Sequence, residues 1–174
     1  MPALAVEPTL RQALLGSPRP ADWAELRARA EARLARQEFP TPAAEDWKYL
    51  DLRPLASLDW VPAAPAEAEV QDFVLPEAKG SRLVFVNGRF DPHHTTVTGL
   101  SAGVRFLHLR QCSELAGALG TLADPDRADF FANLNSARFE EGALVLVPKG
   151  VRVESTLQVL FLTRAEPDAA VVTL

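Results

Sequence analysis

The hydrophobic pattern of this chain changes its period midway, at a stretch rich in proline and alanine. Before the stretch, apolar residues recur at helical spacing, whereas after it they form short β-branched and aromatic runs. Residues 61–76 contain three prolines, a composition typical of an extended, stiff linker. We therefore predict a helical domain over residues 1–60, a Pro/Ala-rich linker over 61–80 and a β-rich region over 81–174.

The clearest helix signal lies in residues 21–39. Asp22 followed by Glu25 resembles a capping box. Four apolar residues fall on one stripe of a helix of period 3.6, namely Trp23, Leu26, Ala30 and Leu34. The remaining surface carries Arg27, Arg29, Arg33 and Arg36. We interpret these arginines as a solvated face, with a binding face for an acidic partner as the alternative. A shorter helical segment is predicted over residues 9–15.

The second half is predicted to consist mainly of short strands, at residues 83–86, 104–109, 144–147, 151–153, 157–163 and 170–174. Asn87-Gly88 is the strongest turn signal. Short helices are predicted over 111–119 and 126–138. Strands joined by tight Gly or Pro corners are typical of a parallel β-helix or a β-sandwich, since a doubly wound sheet needs a helix between successive strands.

The apolar run 170–174 stands at the end of the sequence, with nothing after it to cover a sheet edge. An uncovered edge offers unpaired backbone groups to another chain. The sequence therefore predicts either that the chain is a fragment or that a partner covers this strand. If the strand is uncovered, the chain is expected to self-associate through it.

Composition excludes several classes of protein. The formal net charge is -5, so no attraction to nucleic acid is expected. Cys112 is the single cysteine, which can form neither an internal disulfide nor a cysteine-based metal cage. The first residues lack the basic and apolar regions of a signal peptide, and no apolar run is long enough to span a membrane. A cytoplasmic protein is expected.

No catalytic motif is present. The chain contains neither of the Gly-rich phosphate-binding motifs and no Gly-x-Ser-x-Gly elbow. Asp91 with His93 and His94 forms a weak metal-site hypothesis, because adjacent histidines point to opposite sides of an extended chain. A polar turn is the preferred interpretation. We predict no catalytic, cofactor-binding or metal-binding residue and no stoichiometric metal.

Other reactive groups receive structural interpretations. His108 alternates with Leu107 and is predicted on an outer strand face. Cys112 is interpreted as a small semi-buried residue rather than a reactive thiol. Glu140 and Glu141 are expected to be solvated turn residues, since paired carboxylates need a cleft for catalysis.

Three aromatic residues, Trp47, Tyr49 and Trp60, lie near the predicted domain junction. They are expected to attach a helix to a neighbouring element, with a partner groove as the alternative. Trp47 is predicted to be a buried anchor whose replacement by Ala costs roughly 3–5 kcal/mol.

Three stretches resemble the SufD family of iron–sulfur cluster assembly proteins. The first is Glu-Asp-Trp-Lys-Tyr-Leu-Asp-Leu-Arg-Pro-Leu at 45–55, the second Leu-Val-Phe-Val-Asn-Gly-Arg-Phe at 83–90. The third runs from Leu-Asn-Ser-Ala at 134–137 to Val-Pro-Lys-Gly-Val at 147–151 and is shared with SufB. The signature residues are Glu45, Trp47, Lys48, Tyr49, Leu52, Arg53, Asn87, Gly88, Pro148, Lys149 and Gly150. Leu50 stands where Thr is usual, and Ala43 and Ala44 replace common Arg and acidic residues.

The resemblance implies an α+β fold, with a helical amino-terminal domain followed by the start of a right-handed parallel β-helix. It implies a scaffold subunit, not an enzyme, that works with SufB-like and SufC-like subunits. The complex is expected to handle an iron–sulfur cluster while the SufC-like partner hydrolyses ATP. The family's cluster-assembly residues would lie beyond Leu174, so this chain is expected to hold no cofactor.

Two alternatives remain open at this point. One is a β-rich protein-binding module unrelated to SufD. The other is a small metal-dependent enzyme that uses Asp91, His93 and His94.

Overall fold

The structure is a computed structural model that describes residues 23–78, 80–112, 117–122, 124 and 126–173. The chain divides into two compact units, each built from separate segments. Unit 1 comprises Met1–Pro62, Leu115–Phe139 and Ala165–Val172, and unit 2 comprises Ala63–Glu114, Glu140–Arg164 and Thr173–Leu174. The predicted helix at 9–15 lies outside the described residues.

Two helices, α1 (Ala24–Leu34) and α3 (Phe130–Arg138), form the core of unit 1. Ala30 and Leu34 of the predicted stripe are buried, while Trp23 and Leu26 are half-buried. Trp23 precedes α1 with a φ of 58° and no side-chain capping bond. Asp22 of the predicted capping box lies outside the described residues.

Helix α3 begins at Phe130 rather than at residue 126. The Asp129 side chain accepts a hydrogen bond from the backbone N–H of Ala132 at 2.7 Å. A side-chain cap of this kind satisfies a free amide and fixes the first turn of a helix. The cap therefore explains why the helix starts four residues later than predicted.

The prediction that the arginines of α1 form a solvated face is wrong for Arg27. Its side chain is 4% exposed, and its guanidinium donates to the carbonyl of Ala137 at 3.3 Å and to that of Phe139. It also lies 4.9 Å from the Phe139 ring centroid. Cations favour helix C-termini, where carbonyls lack partners, so Arg27 caps the end of α3.

The other charges of this interface are also paired within unit 1. Arg138, 3% exposed, contacts Glu31 at 2.8 Å. The exposed Arg29 and Arg33 contact Asp124 and Asp126 at 2.9 and 2.6 Å. The arginines of α1 thus serve contacts inside the unit.

The rest of unit 1 contains the short helix α2 (Arg53–Ala56) and the strands β1 (Trp60–Pro62) and β8 (Ala170–Val172). The two strands pair in parallel, with Val61 opposite Val171. The strand predicted at 170–174 therefore has a partner along one edge. Self-association through its other edge stays a prediction, and Leu174 lies outside the described residues.

Unit 2 is built around β2 (Ser81–Val86), whose residues are nearly all buried. β2 pairs with β3 (Arg89–Phe90) and β4 (Thr96–Val97) in antiparallel fashion, and with β7 (Gln158–Leu162) in parallel. A second pair joins β5 (Arg105–His108) to β6 (Ala143–Leu146) in antiparallel fashion. The sheets are small and mixed, and the parallel β-helix stays a prediction.

Both faces of β2 are covered within unit 2. Leu83 and Phe85 pack with Phe106, while Val84 and Val86 pack with Val70. Val70 lies inside the predicted linker, which also contains 3₁₀ turns at Gln71–Phe73 and Pro76–Ala78. The predicted domain boundaries stay a prediction.

Two local predictions have different outcomes. Residues 151–153 form no strand, so that prediction was wrong. A strand needs a neighbour to pair with, and apolar alternation alone supplies none. The helix predicted at 111–119 falls partly on residues 113–116, outside the described residues; Leu109–Gln111 forms a 3₁₀ turn. Within the described part, no helix has the length and apolarity needed to cross a membrane.

Candidate functional site

The first signature segment, residues 45–55, forms a 3₁₀ turn at Glu45–Trp47 and runs into α2. Ala44 precedes the turn and makes no side-chain capping bond, as expected for a residue without a polar side chain. Leu52 is buried, 5% exposed. The segment is therefore anchored by an apolar contact rather than by a cap.

Charged residues of this segment pair with each other. Lys48 Nζ lies 2.5 Å from Glu45, and the Arg53 guanidinium donates to both carboxylate oxygens of Asp51 at 2.8 and 2.7 Å. Side-chain and backbone hydrogen bonds from Arg53 lower the pKa of Asp51 to about 2. Both pairs are exposed, and exposed pairs contribute little stability.

The three aromatic residues have different roles. Trp47 is half-buried with its ring 5.3 Å from that of Phe131, and Trp60 Nε1 donates to the Leu55 carbonyl at 2.8 Å. Tyr49 is 92% exposed. The prediction that all three attach neighbouring elements is wrong for Tyr49, and full burial is wrong for Trp47.

Asn87 and Gly88 form the predicted hairpin turn between β2 and β3. Their φ values are 50° and 76°, as a tight Asn-Gly turn requires. Asn87 is 5% exposed, and its Nδ2 donates to the carbonyls of Ala64 at 2.6 Å and Arg164 at 2.9 Å. Sequence reasoning identified the turn but missed the side chain, whose partners lie far along the chain.

Asp91 binds the two residues that follow Pro92. Its Oδ1 accepts the backbone N–H groups of His93 at 2.8 Å and His94 at 3.3 Å, while Oδ2 lies 2.7 Å from His94 Nδ1. This arrangement is the polar turn preferred from sequence. Within the described residues, no three His, Cys, Asp or Glu side chains are grouped to hold a metal ion.

His108 is buried, 8% exposed, which corrects the outer-face prediction. In β5, Phe106 and His108 share the buried face, whereas Arg105 and Leu107 are half-buried. The His108 ring stacks 4.5 Å from that of Phe90, and its Nε2 bonds to Glu141. Leu109 begins a 3₁₀ turn, so it does not continue the alternation from which the outer face was predicted.

Glu141 was expected to be solvated and is instead largely buried. Its side chain is 17% exposed and contacts Arg110 Nε at 3.7 Å as well as His108. The His108 side chain also accepts the backbone N–H of Gln111. An imidazole that accepts at one nitrogen is left with the other to donate, so His108 donates to Glu141 and positions β5 rather than a substrate.

Two further predicted residues are structural. Cys112 is a buried thiol, 2% exposed, and so more buried than the semi-buried residue that was predicted. Pro148 and Gly150 form a turn closed by a hydrogen bond from Val151 N–H to the Pro148 carbonyl at 3.1 Å, and Gly150 has a φ of 81°. Lys149 is exposed.

Unit 2 also contains a cleft of about 720 Å³ beside the β2–β3 hairpin. Acidic and basic side chains line it together, among them Glu67, Glu69, Arg89 and Arg164. Because both signs of charge are present, the cleft shows no clear preference for an anion or a cation.

Comparison with known proteins gives two matches. The family described as SufBD protein N-terminal region matches residues 11–159. The chain is also 33% identical over 142 residues to an iron–sulfur cluster assembly SufBD family protein of Synechocystis sp. strain PCC 6803, an alignment that covers 77% of this chain and 31% of the relative. The chain therefore spans about a third of the length of this curated relative.

Proposed function

Because the chain belongs to the SufBD family, whose amino-terminal region it matches over residues 11–159, we propose that it is the amino-terminal portion of a SufD-type scaffold subunit. In this proposal it contributes to iron–sulfur cluster assembly in the cytoplasm by binding SufB-like and SufC-like subunits. The cluster is the cargo of the complex, and ATP hydrolysis belongs to the SufC-like partner.

The family match is the observation that carries this proposal. The structure supports a scaffold role in a second way, because the side chains best suited to chemistry are engaged inside the fold. Asp91 bonds to His94 and His108 to Glu141. We therefore propose that the chain is not an enzyme and binds no stoichiometric metal by itself.

The fold proposed for the complete subunit is a right-handed parallel β-helix that begins in unit 2. Support comes from the parallel pairing of β2 with β7, in which Leu83 lies opposite Val159 and Phe85 opposite Phe161. Parallel neighbours are what stacked coils of such a helix require.

Co-purification is the direct test of function. The chain would be produced with the SufB-like and SufC-like subunits of the same organism, and the isolated complex examined for stoichiometry. We expect this chain to co-purify with at least one of them. Absence of any association at micromolar concentrations would contradict the scaffold proposal.

A second measurement tests the expected lack of chemistry. The purified chain alone should hydrolyse no ATP and should contain well under one equivalent of iron or zinc per chain. Near-stoichiometric metal that is lost in His94→Ala would favour the metal-dependent alternative.

A further inference from the structure

The first signature segment and the residues that follow it expose several large apolar side chains. Five of them lie between residues 49 and 61, and we call them together the 49–61 surface. Their exposed fractions are 92% for Tyr49, 51% for Leu50, 38% for Leu55, 41% for Leu58 and 48% for Val61. Large apolar side chains that are exposed close together in sequence, as these are, point to a protein interaction site.

The backbone beneath this surface is held in place by contacts inside unit 1. Trp47 packs on Phe131, Leu52 is buried, and Trp60 Nε1 bonds to the Leu55 carbonyl. These anchors alternate along the chain with the exposed residues. A surface ordered before binding loses less conformational entropy when a partner docks.

The charged residues at positions 45–61 include more acidic than basic side chains. Glu45 pairs with Lys48 and Asp51 with Arg53, so these four residues cancel. Asp46 and Asp59 are exposed. Neither side chain makes a hydrogen bond or an ion pair with another residue that the structure describes. Residues 45–61 are therefore net negative, and we call Asp46 and Asp59 the rim of the 49–61 surface.

We propose that the 49–61 surface docks a partner protein whose matching surface is apolar at its centre and carries lysine or arginine at its rim. Tyr49 is the central contact, since an exposed tyrosine combines a large apolar ring with a hydroxyl and is enriched among dominant interface residues. The acidic rim selects a basic partner and speeds its association. This inference rests on the proposed function, which supplies the partners used to test it.

The test measures binding of the chain to the purified SufB-like and SufC-like subunits by biolayer interferometry. Tyr49→Ser and Val61→Ser should each weaken binding by roughly tenfold or more. Phe73→Ser and Val147→Ser are matched controls, because these residues are 54% and 47% exposed but lie in unit 2. The controls should change affinity by less than about threefold, and all four variants should unfold like the parent.

A charge variant tests the rim separately. Asp46→Lys combined with Asp59→Lys should lower the association rate and reduce its dependence on salt. Asp72→Lys, at an exposed aspartate of unit 2, controls for the general change in charge and should leave the rate nearly unchanged.

Each outcome decides the inference. Loss of binding in the surface variants alone supports it. Full affinity of Tyr49→Ser and Val61→Ser for a subunit that the parent binds overturns the docking surface and leaves the proposed function in place. A parent that binds neither subunit overturns both. If the parent forms a dimer and Tyr49→Ser dissociates it, the 49–61 surface binds a second copy of the chain. This result also overturns the inference.

Discussion

The side-chain amide of Asn87 pairs with the backbone of Arg164 through both of its polar atoms. Asn87 Oδ1 accepts the Arg164 N–H at 2.7 Å, and Nδ2 donates to the Arg164 carbonyl at 2.9 Å. In addition, the backbone N–H of Asn87 donates to the Leu162 carbonyl at 2.9 Å. The hairpin turn is thereby attached to the residues that follow β7.

Asn87→Ala should lower the free energy of unfolding by about 2–4 kcal/mol, because buried backbone groups lose partners and a positive φ is strained in alanine. Asn87→Gly relieves the strain but still lacks the side-chain hydrogen bonds. Its free energy of unfolding should therefore lie between those of the parent and the alanine variant. Urea denaturation of the three proteins provides the measurement. Equal stability of parent and glycine variant would show that the bonds contribute nothing.

Arg27→Met should cost about 2–4 kcal/mol, since the carbonyls at the end of α3 lose a charged donor in a buried site. Arg29→Met is the matched control on the same helix, where the exposed contact to Asp124 is worth at most about 1 kcal/mol. Thermal unfolding of both variants would reveal the difference. Similar unfolding midpoints for the two variants would mean that water satisfies the carbonyls at the end of α3 as well as Arg27 does.

Local signals were predictable from the sequence, whereas contacts between distant residues were not. The Asn87-Gly88 turn depends on two adjacent residues and was predicted correctly. The burial of Arg27 was missed because its acceptor on Ala137 lies 110 residues away, and charge patterning along α1 carries no information about that partner. His108 was misplaced because a 3₁₀ turn interrupts the strand alternation at Leu109.

The signature aromatics should differ sharply in their effect on stability. Trp47→Ala is expected to cost about 1–2 kcal/mol, less than a fully buried tryptophan would, because its ring is only half-buried against Phe131. Tyr49→Ala should stay within about 0.5 kcal/mol of the parent. Chemical denaturation distinguishes them, and a large loss in the Tyr49 variant would contradict its exposure.

The contacts of Asp91 predict a dependence of stability on pH. Burial alone would raise the pKa of its carboxyl, but hydrogen bonds from His94 and His93 outweigh burial and hold that pKa below the ordinary value. Stabilisation by a carboxylate with a lowered pKa is present above the unfolded-state pKa and is lost as pH falls through the folded-state pKa. Asp91→Asn should therefore be less stable than the parent near neutral pH.

The difference between parent and Asp91→Asn should close as the pH falls through the acidic range and the Asp91 carboxyl takes up its proton. Urea midpoints measured across that range provide the test. Asp72→Asn, at an exposed aspartate, controls for the loss of one negative charge. A gap for Asp91→Asn that stays constant down to the lowest pH would rule out the expected linkage.

The interleaved segments of the two units have a consequence for synthesis on the ribosome. Arg27 finds its carbonyl 110 residues later in the chain, and Asn87 finds Arg164 77 residues later. At about 5–20 residues per second, α1 emerges roughly 5–20 s before the helix it caps. During that interval the apolar side of α1 is open to chaperones and to other nascent chains, so unit 1 cannot close before Phe139 is translated, nor unit 2 before Arg164.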